Sequence, residues 1–113
     1  YIHEGVDYLV VANAEVYAVN NGNVVFAGYT ELGGNTVVIE HGYGLKSWYC
    51  HLSQLNVSVG DSVKKGDVIG LAGTTGFTTA QPNYASVHAG MSVFDVAVSP
   101  YPMWEKEILI VKK

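Results

Sequence analysis

Apolar positions along the chain fall in short runs of β-branched and aromatic residues, each closed by Gly or Asn. Val16-Tyr17-Ala18-Val19 leads through Asn20-Asn21-Gly22-Asn23 into Val24-Val25-Phe26-Ala27. An Asn-Gly step supplies the positive φ angles of a tight turn, so the pattern predicts that these two runs pair as an antiparallel hairpin. Gly33-Gly34-Asn35 precedes Thr36-Val37-Val38-Ile39-Glu40-His41, and Gly42-Tyr43-Gly44 turns into Leu45-Lys46-Ser47-Trp48-Tyr49-Cys50-His51, which predicts a second hairpin. Further strands are expected at Ser62-Val63, over 68–72, over 91–96 and over 108–111. No window sustains a 3.6-residue apolar period. The best helical candidate is one turn after His51, through Leu52-Ser53-Gln54. Residues 74–85 are polar, contain Gly76 and Pro82, and are expected to form a loop long enough to carry function. Closely spaced strands with glycine turns predict an all-β fold, an antiparallel sandwich or barrel-like sheet pair. Most of Tyr17, Phe26, Trp48 and Phe94 are expected in its core.

Composition bounds what such a fold does. The 113 residues are 49% hydrophobic and 14% charged, which suits one domain with a real core and argues against disorder. A net charge of -4 argues against a phosphate-binding surface, so no nucleic-acid partner is expected. The longest apolar run is too short for a transmembrane helix within this piece. One cysteine cannot close an internal disulfide, which leaves the redox compartment open. The chain opens at Tyr1 without a methionine, as a processed fragment would. Residues 1–113 are read as a single domain, with 107–113 extending past its core.

The candidate chemistry rests on few groups. His3-Glu4-Gly5-Val6-Asp7 sets an imidazole and a carboxylate four residues apart, an even spacing that shares one face of a strand. Joined by a third nitrogen ligand, the pair becomes a His/Asp/His set suited to zinc with one position open for water. His88, in a strand-like run past the long loop, is the natural third ligand. His51 stands at the end of a strand, where it could project into a groove, and His41 is read as structural. Cys50 reads as a small apolar strand residue. Ser86 shares a face with His88, but no oriented third partner marks it as a nucleophile. Tyr49 and Tyr84 are the candidates for touching a substrate.

Several ordered segments are similar to motifs of the M23 zinc metallopeptidases, the LytM or lysostaphin type that cuts peptide bridges in bacterial peptidoglycan. His3-Glu4-Gly5-Val6-Asp7 resembles that family's H-x-G-x-D, and Tyr49-Cys50-His51-Leu52-Ser53 its Y-x-H-L-S. The stretch from Gly34 to Gly42 resembles its central hairpin, and Gly60-Asp61-Ser62-Val63-Lys64-Lys65-Gly66-Asp67-Val68-Ile69-Gly70 and Gly73-Thr74-Thr75-Gly76 its later glycine-framed segments. The resemblance implies the LytM-type all-β fold, with His3, Asp7 and His88 as Zn2+ ligands and His51 as a catalytic histidine. The family's H-x-H reads Ser86-Val87-His88 here, so the resemblance implies a serine in place of the second catalytic histidine. It further implies peptidoglycan peptides as substrate, or a cell-envelope protein as partner of an inactive domain, outside the bacterial cytoplasm. Gly60 to Gly70 also resembles the hammerhead of biotinyl and lipoyl carriers, but Lys64-Lys65 lacks the flanking pattern of a modified lysine.

Overall fold

The computed structural model describes residues 6–11, 13–73, 84–93 and 96–98. Among these, all regular structure is strand: β1 (Val6–Val11), β2 (Glu15–Tyr17), β3 (Gly22–Thr30), β4 (Gly34–Gly42), β5 (Leu45–Leu55), β6 (Ser62–Val63), β7 (Val68–Ala72), β8 (Tyr84–Val93) and β9 (Val96–Val98). Every pairing is antiparallel. The main order is β1-β8-β5-β4-β3-β6, with β9 beside β8, and β7 joining β2 to β5. No helix among the described residues is long and apolar enough to cross a membrane.

β4 and β5 form the predicted hairpin, and its turn is explicit in the backbone. Tyr43 and Gly44 have φ of +54° and +77°, the double positive-φ geometry whose twist matches the flanking strands. β5 is the spine of the sheet. One edge pairs β4; the other pairs β8 through Leu45–Cys50 and then β7 from Leu52 onward. The helical turn expected at Leu52–Gln54 is therefore absent, because Leu52 has partners on both sides, Asn35 and Ala72, that hold it extended. His51 lies inside β5 rather than at its end.

The first predicted hairpin does not form. β2 pairs with β7, with Val16 opposite Gly70, while β3 pairs with β4 and β6. Gly22 is not at a positive-φ turn position; it lies within β3, where an added Cβ would overlap the Glu40 carbonyl. It is a glycine of close approach rather than of turning. The core decides the matter: Val16, Ala18 and Val19 are buried with Val24, Val37, Ile39, Tyr49, Leu52, Val63, Ile69 and Ala72. Of the aromatic residues expected there, Phe26 is 37% exposed on β3 and Trp48 is half-buried on the side of the sheet away from this cluster. Tyr84 and Ala85, expected in the loop, are the first residues of β8. Phe94 and the segment 108–111 lie outside the described residues.

Candidate functional site

Strand register gathers the chemistry. Asp7 on β1 lies opposite His88 on β8, and His88 lies opposite Cys50 on β5. The adjoining row, Val6, Ala89, Tyr49 and Val37, faces the core at Tyr49 and Val37, both 0% exposed. Successive rows of a pleated sheet alternate sides, so Cys50, which shares its register row with His88 and Asp7, is turned away from the core. Ser86 is two residues from His88 and has the same parity. His3 lies outside the described residues, and Tyr84 stands at the far end of the β1–β8 pairing, opposite Val11.

His51 is positioned by a break in the alternation. Val37 pairs Tyr49 and Asn35 pairs Leu52, so β5 carries one more residue than β4 over this interval, a β-bulge. Tyr49 and Leu52 are both fully buried, and two residues, Cys50 and His51, stand between these core positions where regular alternation allows one. His51 adopts φ +64°, its N–H donates to the Gly33 carbonyl at 2.6 Å, and Asn35 Nδ2 donates to the Leu52 carbonyl at 3.0 Å. The bulge also coincides with the handover of the β5 edge from β8 to β7. Adjacent strand residues normally point to opposite faces; the extra residue removes that rule for Cys50 and His51.

The turn between β3 and β4 closes over this bulge. Gly33 N–H donates to Thr30 Oγ1 at 3.0 Å, and Thr36 Oγ1 donates to the Gly34 carbonyl at 3.1 Å. A Cβ on Gly33 would lie 2.7 Å from Thr36 Oγ1, 2.9 Å from Thr30 Oγ1 and 3.1 Å from Cys50 Sγ, so the turn reaches the strand only through glycine. Between turn and sheet lies an open cavity of about 550 Å³. Among the described residues Val38 and Trp48 supply its apolar lining from the sheet, Leu32 from the turn, and Glu31 the one carboxylate. Trp48 lies opposite Gly90, where any Cβ would overlap the indole, so the missing side chain makes room for the ring. The sequence reading missed this cavity. Its available signal was parity: with Tyr49 inward, Trp48 and Cys50 must face the other way.

Tyr49 itself corrects an expectation. It is 0% exposed on the core side, so it has no surface with which to meet a substrate. Its hydroxyl accepts from Val19 N–H at 3.1 Å and lies 2.8 Å from Ser47 Oγ. Ser47 Oγ is 2.7 Å from His41 Nε2, and His41 Nδ1 is 2.7 Å from the Asn21 carbonyl. A carbonyl only accepts, so Nδ1 carries the ring proton in the neutral tautomer. The chain then runs Tyr49 O–H to Ser47, and Ser47 O–H to His41 Nε2, with every group satisfied. His41 is structural, as expected. Burial pushes the Tyr49 hydroxyl up to about 12, against the opposing pull of the Ser47 and Val19 hydrogen bonds.

Among the described residues no three His, Cys, Asp or Glu side chains form a metal-binding group. The model of peptidase family M23 matches residues 1–100, and the chain belongs to that family of metallopeptidases. The glycyl-glycine endopeptidase ALE-1 of Staphylococcus capitis is 42% identical over 80 residues, covering 69% of this chain and 22% of that protein. The peptidoglycan DD-endopeptidase ShyB of Vibrio cholerae is 39% identical over 77 residues, covering 68% and 18%. The solved catalytic domain of the antimicrobial peptidase lysostaphin from Staphylococcus simulans superposes with a TM-score of 0.82 at 34% identity, over 93% of this chain and 80% of that one. The SpoIIQ–SpoIIIAH pore-forming complex also contains a similar chain, with a TM-score of 0.70 at 32% identity over 86% and 56%. The chain spans about a fifth of the length of the first curated relatives it matches. The all-β antiparallel fold agrees with the expectation from sequence.

Proposed function

We propose that this chain is a single peptidase domain that binds Zn2+ through His3, Asp7 and His88 and hydrolyses peptide bonds of peptidoglycan outside the cytoplasm. The observation that carries the reading is the register pairing of Asp7 with His88 on neighbouring strands in a chain of family M23. Directly opposed residues of an antiparallel pair have Cα atoms roughly 4.5–5.5 Å apart, a separation from which two side chains can share one ion. A His/Asp/His donor set is that of zinc sites that keep an open position. When bound, the ion supplies a Lewis acid that polarises a scissile carbonyl.

The remaining work belongs to the chain. His51 is the general base and acid, its backbone set by the β5 bulge and by the N–H bond to the Gly33 carbonyl. Ser86 is the residue at the place of the family's second catalytic histidine. Its hydroxyl donates a hydrogen bond but takes up no proton near neutral pH. Hydrolysis is accordingly slower, by roughly 10²- to 10⁴-fold, than in a site with both imidazoles. Tyr84 is retained as a substrate-side residue; Tyr49 is not.

The test joins metal content to turnover. Purified protein should contain about one zinc, lose it in His3→Ala and His88→Ala, and cleave peptidoglycan slowly in a chelator-sensitive manner. Zinc-free protein whose stability is unchanged by both substitutions would sink the metal assignment. A second reading, an inactive binding module of the cell envelope, draws on Ser86 and on the likeness to a chain of the SpoIIQ–SpoIIIAH complex. Chelator-sensitive turnover by the wild-type protein excludes it; zinc without turnover favours it.

A further inference from the structure

The cavity beneath the β3–β4 turn has a composition that selects a ligand. We infer that it is a side-chain subsite for an aliphatic stem ending in a protonated amine, as on a lysine-like residue of a bound peptide. This rests on the peptidase reading only in taking the ligand to be a peptide. Four observations support it. Cys50, in its lining, continues the Asp7–His88 row, so a peptide laid along that row passes the cavity mouth. The space of about 550 Å³ is large enough to take an extended side chain. Val38, Leu32 and the Trp48 indole offer an apolar surface to a methylene stem, and an indole face attracts a cation. Among the described residues of the lining Glu31 is the one carboxylate and none is basic, and Glu31 is exposed on the turn.

The turn that carries Glu31 is tied down at its backbone. Gly33 N–H bonds Thr30 on one side and the Gly33 carbonyl bonds His51 on the other, so the turn is set relative to the same bulge that carries His51. Trp48 is fixed because its ring occupies the space a side chain at position 90 would take. A stem without an amine would gain the apolar contact alone. An acidic side chain would meet Glu31 and be repelled.

The experiment is equilibrium titration of the intact protein with three capped pentapeptides: acetyl-Gly-Gly-Lys-Gly-Gly-amide, its norleucine analogue and pentaglycine. An exposed carboxylate and an aromatic face together favour an ammonium group by about fivefold in affinity. The lysine peptide should bind about fivefold more tightly than the norleucine peptide, and the norleucine peptide more tightly than pentaglycine. Glu31→Gln should lower the first preference to about twofold, the share left to the indole face, and leave the second. Glu31 is exposed, so the substitution leaves the fold intact. Pentaglycine binding as tightly as the others, a lysine preference undiminished in Glu31→Gln, or no binding of any peptide would each overturn the subsite. Zinc content and hydrolysis, measured on the same preparation, report separately on the peptidase assignment. The lysine preference in protein lacking both would defeat that assignment and leave the subsite standing.

Discussion

Removing the Tyr49 hydroxyl offers a sharp test of how the core side of the sheet is held. Tyr49→Phe keeps the ring in its fully buried place but deletes the oxygen at the centre of the polar chain. Val19 N–H then loses its acceptor and Ser47 Oγ its donor, in residues 1% and 0% exposed. A buried polar group left unpaired costs about 1–3 kcal/mol, and Ser47 retains His41, so a net loss of about 2 kcal/mol is expected at pH 8. For a domain of this size that lowers the melting temperature by about 8 °C. The same hydroxyl makes the gap pH-dependent. Its pKa in the fold is about 12 against 10.0 when free, so the folded state holds the proton more tightly. That contribution is complete below pH 10 and is lost as pH rises towards 12; it amounts to about 3 kcal/mol. Ionisation of the other tyrosines and lysines is common to both proteins and cancels in the difference. Urea unfolding followed by circular dichroism should therefore show wild type ahead by about 2 kcal/mol at pH 8, with the lead gone near pH 12. Equal stability at pH 8, or a lead unchanged at pH 11.5, would refute the buried relay.

Three further outcomes follow from the site. Ser86→His should raise peptidoglycan hydrolysis by roughly 10²-fold or more, read by release of soluble fragments; an unchanged rate would show that Ser86 is not at the place of a base. Gly90→Val should cost about 1–3 kcal/mol and shift tryptophan emission, because its side chain would overlap the Trp48 ring; unchanged emission and stability would contradict the packing of Trp48 over Gly90. Gly33→Ala should destabilise by about 1–3 kcal/mol in thermal unfolding, since its Cβ meets Thr36, Thr30 and Cys50. A neutral result there would contradict the close approach of the turn to β5.

Local chemistry made the β4–β5 hairpin readable, because Gly42 and Gly44, both at positive φ, flank Tyr43 between two runs of strand formers. It also narrowed the candidate donors to a few histidines and Asp7, since ionic groups are few in so weakly charged a chain. The same kind of signal misled at Asn21-Gly22. There the turn preference is outweighed by burial of Val16, Ala18 and Val19, which draws β2 onto β7 and places Gly22 inside β3.

From sequence alone most of the strands and their antiparallel habit were legible, because these depend on neighbours along the chain. Tertiary structure alone decided which face each strand turns to the core. Parity within β5 is invisible until one residue is known to be buried, and Tyr49 proved to be that residue. The bulge at His51 depends on β4, β7 and β8 meeting one strand with unequal residue counts, a mismatch no single segment encodes. The cavity likewise draws Glu31, Val38 and Trp48 from a turn and two strands. Such arrangements are set by burial and hydrogen bonding across the whole sheet, over separations that local preference does not reach.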